Sequence, residues 1–283
     1  MFIGVGVSRC GTTWVSQCLA EHPDVCVPHK EMHFFDTDEV YQRGLDWYHA
    51  QFAQCLDHQL IGEFTPSYTY NQKTLERIRS GFSDVHLILC IRDPIERAIS
   101  QFTQKRQKFV EEANTFSAAL TGAHRHLYVD RSLYGEHLKR IIRVFGHEVP
   151  LHIIRYEDIK ERPEVVASRL YSTLGVDPTY TPSCVSHRVN RSCPKNERVR
   201  AITPVLYRAK RWGKRWCGSN KHIRRLGMIL WRAIMRTNRY TATTPRTTPP
   251  LPPADQRELE GIFQRDRAQF DTLLTKLTNL TRT

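Results

Sequence analysis

Phe2-Ile3-Gly4-Val5-Gly6-Val7-Ser8-Arg9-Cys10-Gly11-Thr12-Thr13 is the stretch on which the reading of this sequence turns. Phe2 to Val7 is apolar and rich in β-formers, as a buried strand is. Thr12–Glu21 has helical character and is stopped by His22-Pro23. Between them Gly6 and Gly11 stand in the G-x-x-x-x-G spacing of a phosphate loop, where backbone N–H groups and a helix start cradle an anion. A nucleotide triphosphatase would carry lysine where Thr12 stands, and the cation here comes earlier, at Arg9. No acidic residue ending a strand offers itself as a second magnesium ligand, which weakens a kinase or triphosphatase reading without removing it. The bland alternative is a glycine-containing strand–helix turn that binds nothing.

Working outward, Val85–Ile91 is a continuous apolar run that reads as a strand buried on both faces. It delivers Arg92 at its carboxyl end, and Ser100 follows in a helix that begins near Pro94. Ligands of open α/β sheets bind outside the carboxyl ends of strands. Arg92 and Ser100 are therefore candidates to grip a second phosphate, against the plainer reading that Arg92 pairs with Asp93 or Glu96. Asp24–Pro28, Ile61–Glu63 and Leu151–Ile154 are further strand candidates. Leu133–Phe145 and Pro163–Leu174 read as helices, the latter ended by Gly175. The alternation predicts a P-loop-type three-layer α/β fold with a central parallel sheet of about five strands. We divide the chain into a core over 1–200 and a basic helical extension over 201–283. That extension holds a Pro/Thr linker at Thr241–Pro253 and an amphipathic helix at Ala254–Leu280, packed on the same domain.

The 283 residues carry a net charge of +13, unevenly spread. Fourteen Lys or Arg and no Asp or Glu fall between Arg198 and Ala254, leaving 28 basic and 29 acidic residues elsewhere. The 198–240 segment has three readings: a solvated helical face, a rim for an anionic substrate or cofactor, and a membrane-surface helix. No motif supports specific nucleic-acid recognition. No apolar run is long enough to cross a bilayer, and the start lacks signal-peptide character, so the expectation is a cytoplasmic protein. Its eight cysteines (Cys10, Cys18, Cys26, Cys55, Cys90, Cys184, Cys193 and Cys217) form no C-x-x-C pair and are expected to be reduced. Cys184 and Cys193 are the one pair with the spacing of a bridged hairpin.

Further segments occur in order. They are Lys30-Glu31-Met32-His33-Phe34-Phe35-Asp36, then Tyr41 with Gly44-Leu45-Asp46-Trp47-Tyr48, then GEFTPSY at 62–68, then IRDPIERAISQFTQ at 91–104. With GVSRCGTTW at 6–14, read from Gly4 to about Asp158, they resemble the PAPS-dependent sulfotransferase superfamily (PAPS is 3′-phosphoadenosine 5′-phosphosulfate). The likeness is closest to the branch of heparan sulfate and bacterial sulfotransferases. The resemblance implies that Arg9, Cys10, Gly11, Thr12 and Thr13 hold the 5′-phosphosulfate, and that Arg92 and Ser100 hold the 3′-phosphate. It implies Glu31 as general base, with His33 as its rival and Arg9 stabilising the leaving group, and it implies no metal. Arg191 and Lys195 fall where the family has a cofactor-covering loop, with a loose match. Two departures stand out. Arg9 replaces the usual loop lysine, and Phe64 stands where the heparan enzymes carry a second lysine, which argues against a heparan-like acceptor.

For catalysis Glu31 is expected in a partly dry pocket or tuned by Lys30 and His33. Phe34, Phe35, Trp47, Tyr48, Phe64 and Tyr68 are read first as core and second as walls of an acceptor pocket. His124 and His126 read as a solvated loop in preference to a metal site, and Asp130 and Arg131 as loop charges. The acceptor, a small molecule or sugar with a hydroxyl or amine, and the oligomeric state are open. A non-enzymatic protein working through its basic segment is the remaining alternative.

Overall fold

A computed structural model describes residues 1–108, 110–186 and 251–280. Its strands are β1 (Phe2–Gly6), β2 (Val25–Cys26), β3 (Leu60–Phe64), β4 (His86–Ile91) and β5 (Leu151–Arg155). Its helices are α1 (Thr12–Glu21), α2 (Asp38–Tyr41), α3 (Gly44–Ala50), α4 (Gln72–Gly81), α5 (Pro94–Gln107), α6 (Phe116–Leu120), α7 (Arg125–Tyr128), α8 (Tyr134–Phe145), α9 (Tyr156–Glu161), α10 (Pro163–Leu174) and a long final helix, Pro253–Leu280.

The five strands form one sheet in the order β2-β3-β1-β4-β5, and every pairing is parallel. Parallel strands need crossover helices, and these cover both faces of the sheet. That is why β1 and β4 are apolar at nearly every position and almost wholly buried. One helical group joins α1 to α10; the other joins α4, α8 and the final helix. From β1 the chain runs to the edge strand β2, returns to β3 beside β1, then crosses to β4 and β5 on the other side. The direction reverses between β1 and β4, and at such a switch point the strand ends open into a crevice. Arg9 follows β1 and Arg92 follows β4, so the topology itself brings the two candidate grips together.

A second apolar cluster lies outside the sheet core. Phe102, Phe116, Leu120 and Tyr128 of α5–α7 close against Leu259 and Phe263 of the final helix. The final helix is also tied to α8 by a carboxylate. Asp266 accepts from the N–H groups of Gly135 (2.9 Å) and Glu136 (3.1 Å), capping a helix that has no cap of its own.

One expectation is corrected. The cysteines are not all reduced, because Cys26 and Cys55 form a disulfide that joins the β2 edge to the turn before β3. Cys184 sits against Cys18, Sγ to Sγ 2.6 Å, and Cys193, the cysteine at hairpin spacing from it, lies outside the described residues. The segment between β3 and β4, to which the sequence reading assigned no element, contains α4, capped by Asn71 through the N–H of Lys73. The boundary at residue 200, most of the Pro/Thr linker and the whole basic 198–240 segment lie outside the described residues.

Candidate active site

The loop after β1 turns on two residues in the left-handed region, Arg9 (φ 75°) and Gly11 (φ 85°). Gly11 is required twice over. Its φ disfavours any side chain, and a Cβ there would meet Ile159 at 2.9 Å and the Tyr156 ring at 3.0 Å. Gly11 is the N-cap of α1, and among the described residues no side chain caps that helix. Among the described residues the N–H groups of Thr12 and Thr13 thus have no intrahelical acceptor, at the positive end of the helix dipole, while Trp14 already donates to the Gly11 carbonyl at 2.9 Å. Cys10 contributes backbone alone. Its side chain is buried, with Sγ 3.5 Å from the Tyr134 hydroxyl, and burial pushes its thiol up to about 11. Ser8 is fixed from below, its N–H donating to the Tyr70 hydroxyl at 3.2 Å.

The two grips touch. Arg9 Nε donates to Ser100 Oγ at 3.0 Å, across 91 residues of sequence. The Tyr156 ring at the start of α9 packs beside Gly11 and lies 4.4 Å beneath the Arg92 guanidinium. Tyr156, which no motif marks, is therefore the wall shared by both strand ends. Arg92 also realises its plainer reading, donating to Glu96 Oε2 from Nε (3.1 Å) and Nη2 (2.6 Å). Arg97, one turn further on, is fully buried and holds Ser132 and the carbonyls of Leu127 and Tyr128, leaving Nη1 without a partner. Burial foremost, then the nearby charges of Arg92 and Arg97, weaken Arg9's hold on its proton. A cluster of guanidiniums that disfavour one another is relieved by an anion placed among them.

The Lys30–Asp36 segment lies on the other side of the loop. Lys30 pairs in parallel with Phe64 at the end of β3, and the Glu31 N–H donates to the Phe64 carbonyl at 2.8 Å. Lys30 Nζ reaches Thr13 Oγ1 in the first turn of α1. Glu31 (φ 61°) and His33 (φ 53°) both adopt left-handed backbone. With Arg9 they are the only described non-glycine residues that do so. Such conformations are costly for side-chain-bearing residues and cluster where function demands them. Glu31 is exposed, so the described residues do not form the dry pocket expected around it. His33 Nδ1 sits 3.1 Å from both carboxylate oxygens of Asp36, which the Ser67 hydroxyl also contacts. The Asp36 hydrogen bond raises the His33 pKa.

Behind this segment lies Glu63, wholly buried and missed in the sequence because it sits mid-strand. It accepts from the Tyr68 hydroxyl (2.7 Å), the Thr65 hydroxyl (2.7 Å) and the Tyr48 hydroxyl (3.4 Å). Burial pushes its carboxyl up to about 7 against the pull of those donors.

The aromatic set belongs to the core. Phe34, Phe35, Tyr48, Phe64 and Tyr68 are fully buried, with Phe34, Phe35 and Tyr48 in mutual ring contact and Trp47 stacked on Phe34. Phe64 lies flat on Gly4, where a Cβ would fall 2.1 Å from its ring. His124 does have an acidic partner, Glu111 at 3.1 Å, but among the described residues no group of three metal-ligating side chains occurs. Arg131 is not a loose loop charge; it is half-buried over the Tyr70 ring. Arg191 and Lys195 lie outside the described residues.

The family described as "Sulfotransferase domain" matches this chain over residues 2–208. Heparan sulfate glucosamine 3-O-sulfotransferase 5 of Mus musculus is 31% identical over 163 residues, which are 53% of this chain and 46% of that protein. Heparan sulfate glucosamine 3-O-sulfotransferase 3B1 of Homo sapiens is 35% identical over 147 residues, 50% of this chain and 37% of that protein. The chain thus spans less than half the length of these curated relatives. Among solved structures, a sulfotransferase from Alicyclobacillus acidocaldarius shares the fold, with a TM-score of 0.58 and 24% identity over 73% of this chain and 92% of that one.

Proposed function

This chain belongs to the sulfotransferase family, and we propose that it transfers the sulfuryl group of PAPS to a hydroxyl or amine of a small-molecule or sugar acceptor. The observation that carries the reading is the direct contact of the two grips, Arg9 to Ser100, with Tyr156 walling both. A nucleotide phosphorylated at the 5′ and 3′ positions needs two anion sites one ribose apart, and a triphosphate does not.

In this reading the N–H groups at the start of α1 take the 5′-phosphate, while Arg92 and Ser100 take the 3′-phosphate. Arg92 keeps its stack on Tyr156, and the bound phosphate competes with Glu96 for its guanidinium. The acceptor oxygen or nitrogen attacks sulfur in line. The bond from sulfur to the bridging phosphate oxygen breaks, its electron pair leaves with the 5′-phosphate, and the acceptor's proton passes to a base. Glu31 is that base in our reading, supported by its strained backbone and its place beside Lys30 at the loop. A second assignment has its own support. The Asp36–His33 pair has the geometry of an oriented imidazole base, with one ring nitrogen held and the other left for a substrate.

The buried position of Phe64 against Gly4 favours an acceptor unlike heparan, because no cation projects from that position. We place the protein in the cytoplasm and assign the basic 198–240 segment to contact with anionic surfaces. Charge reversal at Arg224 and Arg225 should then release such contact without changing nucleotide affinity. Incubation with PAPS and candidate acceptors, followed by mass spectrometry, should show a product heavier by one sulfuryl group. Magnesium-dependent turnover of ATP instead would establish the kinase or triphosphatase alternative.

A further inference from the structure

In a phosphate loop one cation usually sits at the head of the helix, and its place in this sequence is taken by Thr12. Arg9, the only cation within the loop, turns its Nε to Ser100 and so toward the second grip. The head of the helix is nevertheless not without charge. Lys30 arrives there from a different strand end, donating through Nζ to Thr13 Oγ1. Its backbone is set by the parallel bridge to Phe64 and by the next residue's hydrogen bond to the Phe64 carbonyl. Among the described residues Lys30 makes no ion pair, and the opposite charge that acts on it is that of Glu31. An ammonium held by one neutral hydroxyl exchanges that partner readily for an anion. Lys30 also reaches the head of α1 from the residue next to Glu31, so one short segment carries both the cation and the candidate base.

We propose that Lys30 is the catalytic cation of the transferring group, leaving Thr13 to bind the sulfonate and bridging oxygens, while Arg9, rooted in the first loop, reaches across to the second grip and serves the 3′-phosphate with Ser100 and Arg92. The inference rests on the PAPS reading above and divides the labour within it. As the sulfur–oxygen bond to the 5′-phosphate breaks, its electron pair and growing charge fall on the bridging oxygen, beside the Lys30 ammonium. The sulfuryl group passes to the acceptor and the acceptor proton goes to the base. No oxidant or further reactant enters.

Calorimetric titration of the full chain with three probes separates the roles. PAPS carries both anions, adenosine 3′,5′-bisphosphate lacks the sulfonate, and adenosine 5′-phosphosulfate lacks the 3′-phosphate. For Lys30→Met, which keeps the apolar stem, the preference for PAPS over the bisphosphate should fall about tenfold, the size expected for one charge-assisted contact. Its affinity for the bisphosphate should stay within about twofold of wild type, which also reports a folded protein. Arg9→Ala should leave that preference unchanged and instead lose about tenfold in PAPS over adenosine 5′-phosphosulfate. Release of the bisphosphate from PAPS should slow in Lys30→Met and recover in part in Lys30→Arg. If Lys30→Met weakens all three probes equally, or none, the assignment of Lys30 is wrong. A wild-type chain that binds no bisphosphate overturns the PAPS reading itself, before any variant is compared.

Discussion

Arg9, Glu31 and His33 were selected from a motif, yet the backbone sets them apart independently, since each holds a conformation that side-chain-bearing residues seldom adopt. Their individual roles are testable by kinetics. Glu31→Gln should lower turnover by about a hundred- to ten-thousandfold, the usual worth of a general base, with little change in nucleotide affinity. If His33→Asn gives that loss and Glu31→Gln does not, the base is the imidazole. Arg92→Ala should weaken adenosine 3′,5′-bisphosphate by about tenfold or more, measured by titration, while acceptor binding holds. Equal loss of both with an intact fold would remove Arg92 from the nucleotide site. Glu63 makes a prediction in pH. Its folded pKa is raised to about 7 from an ordinary 4.5, so between those values the folded state keeps a proton that the unfolded chain has lost. Its contribution to stability therefore falls as pH rises through that window. Denaturant unfolding of wild type and Glu63→Gln across pH 4.5–7 should show the difference between them changing in that direction, and a constant difference would contradict the buried carboxyl.

At the scale of elements, what the sequence made legible follows from local rules. β1 and β4 are continuous apolar runs because both faces are covered, and Pro163–Leu174 begins at proline and ends at Gly175 in left-handed backbone (φ 74°). The phosphate loop could be read for the same reason, since its glycine spacing is local. Tyr156, Lys30 at Thr13, Glu63 and the Cys26–Cys55 bridge could not be, because each owes its meaning to a partner brought near by the sheet order. The bridge has a direct test: peptide mapping without reductant should recover Cys26 joined to Cys55, and replacing both should cost about 2–4 kcal/mol of stability. Such bridges are rare in the reducing cytosol, so the same map made on protein taken directly from its source also bears on the cytoplasmic placement. The final helix offers a third test. Asp266→Ala removes the cap of α8 from outside that helix, and denaturant unfolding should show a loss of about 1–2 kcal/mol. No loss would mean that the apolar cluster around Phe263 and Leu259 alone holds the helix in place.

For the whole molecule, the reversal of strand order between β1 and β4 is the feature from which the site follows. It sets the ends of two buried strands side by side, and on them Arg9, Ser100, Arg92 and Tyr156 meet although they are distant in sequence. The parallel sheet could be foreseen from alternation alone. That its two anion grips would share a hydrogen bond could not, since strand order is not written in any local pattern. The acceptor is the least legible part, because the aromatics that looked like pocket walls are spent on the core. The most direct test of the shared site is a titration of the full chain with adenosine 3′,5′-bisphosphate in the presence of a metal chelator, repeated with Arg9→Ala and Arg92→Ala. Saturable binding that both substitutions weaken is the predicted result. Absence of binding, or binding to which either arginine is indifferent, would contradict a single ligand spanning the two strand ends.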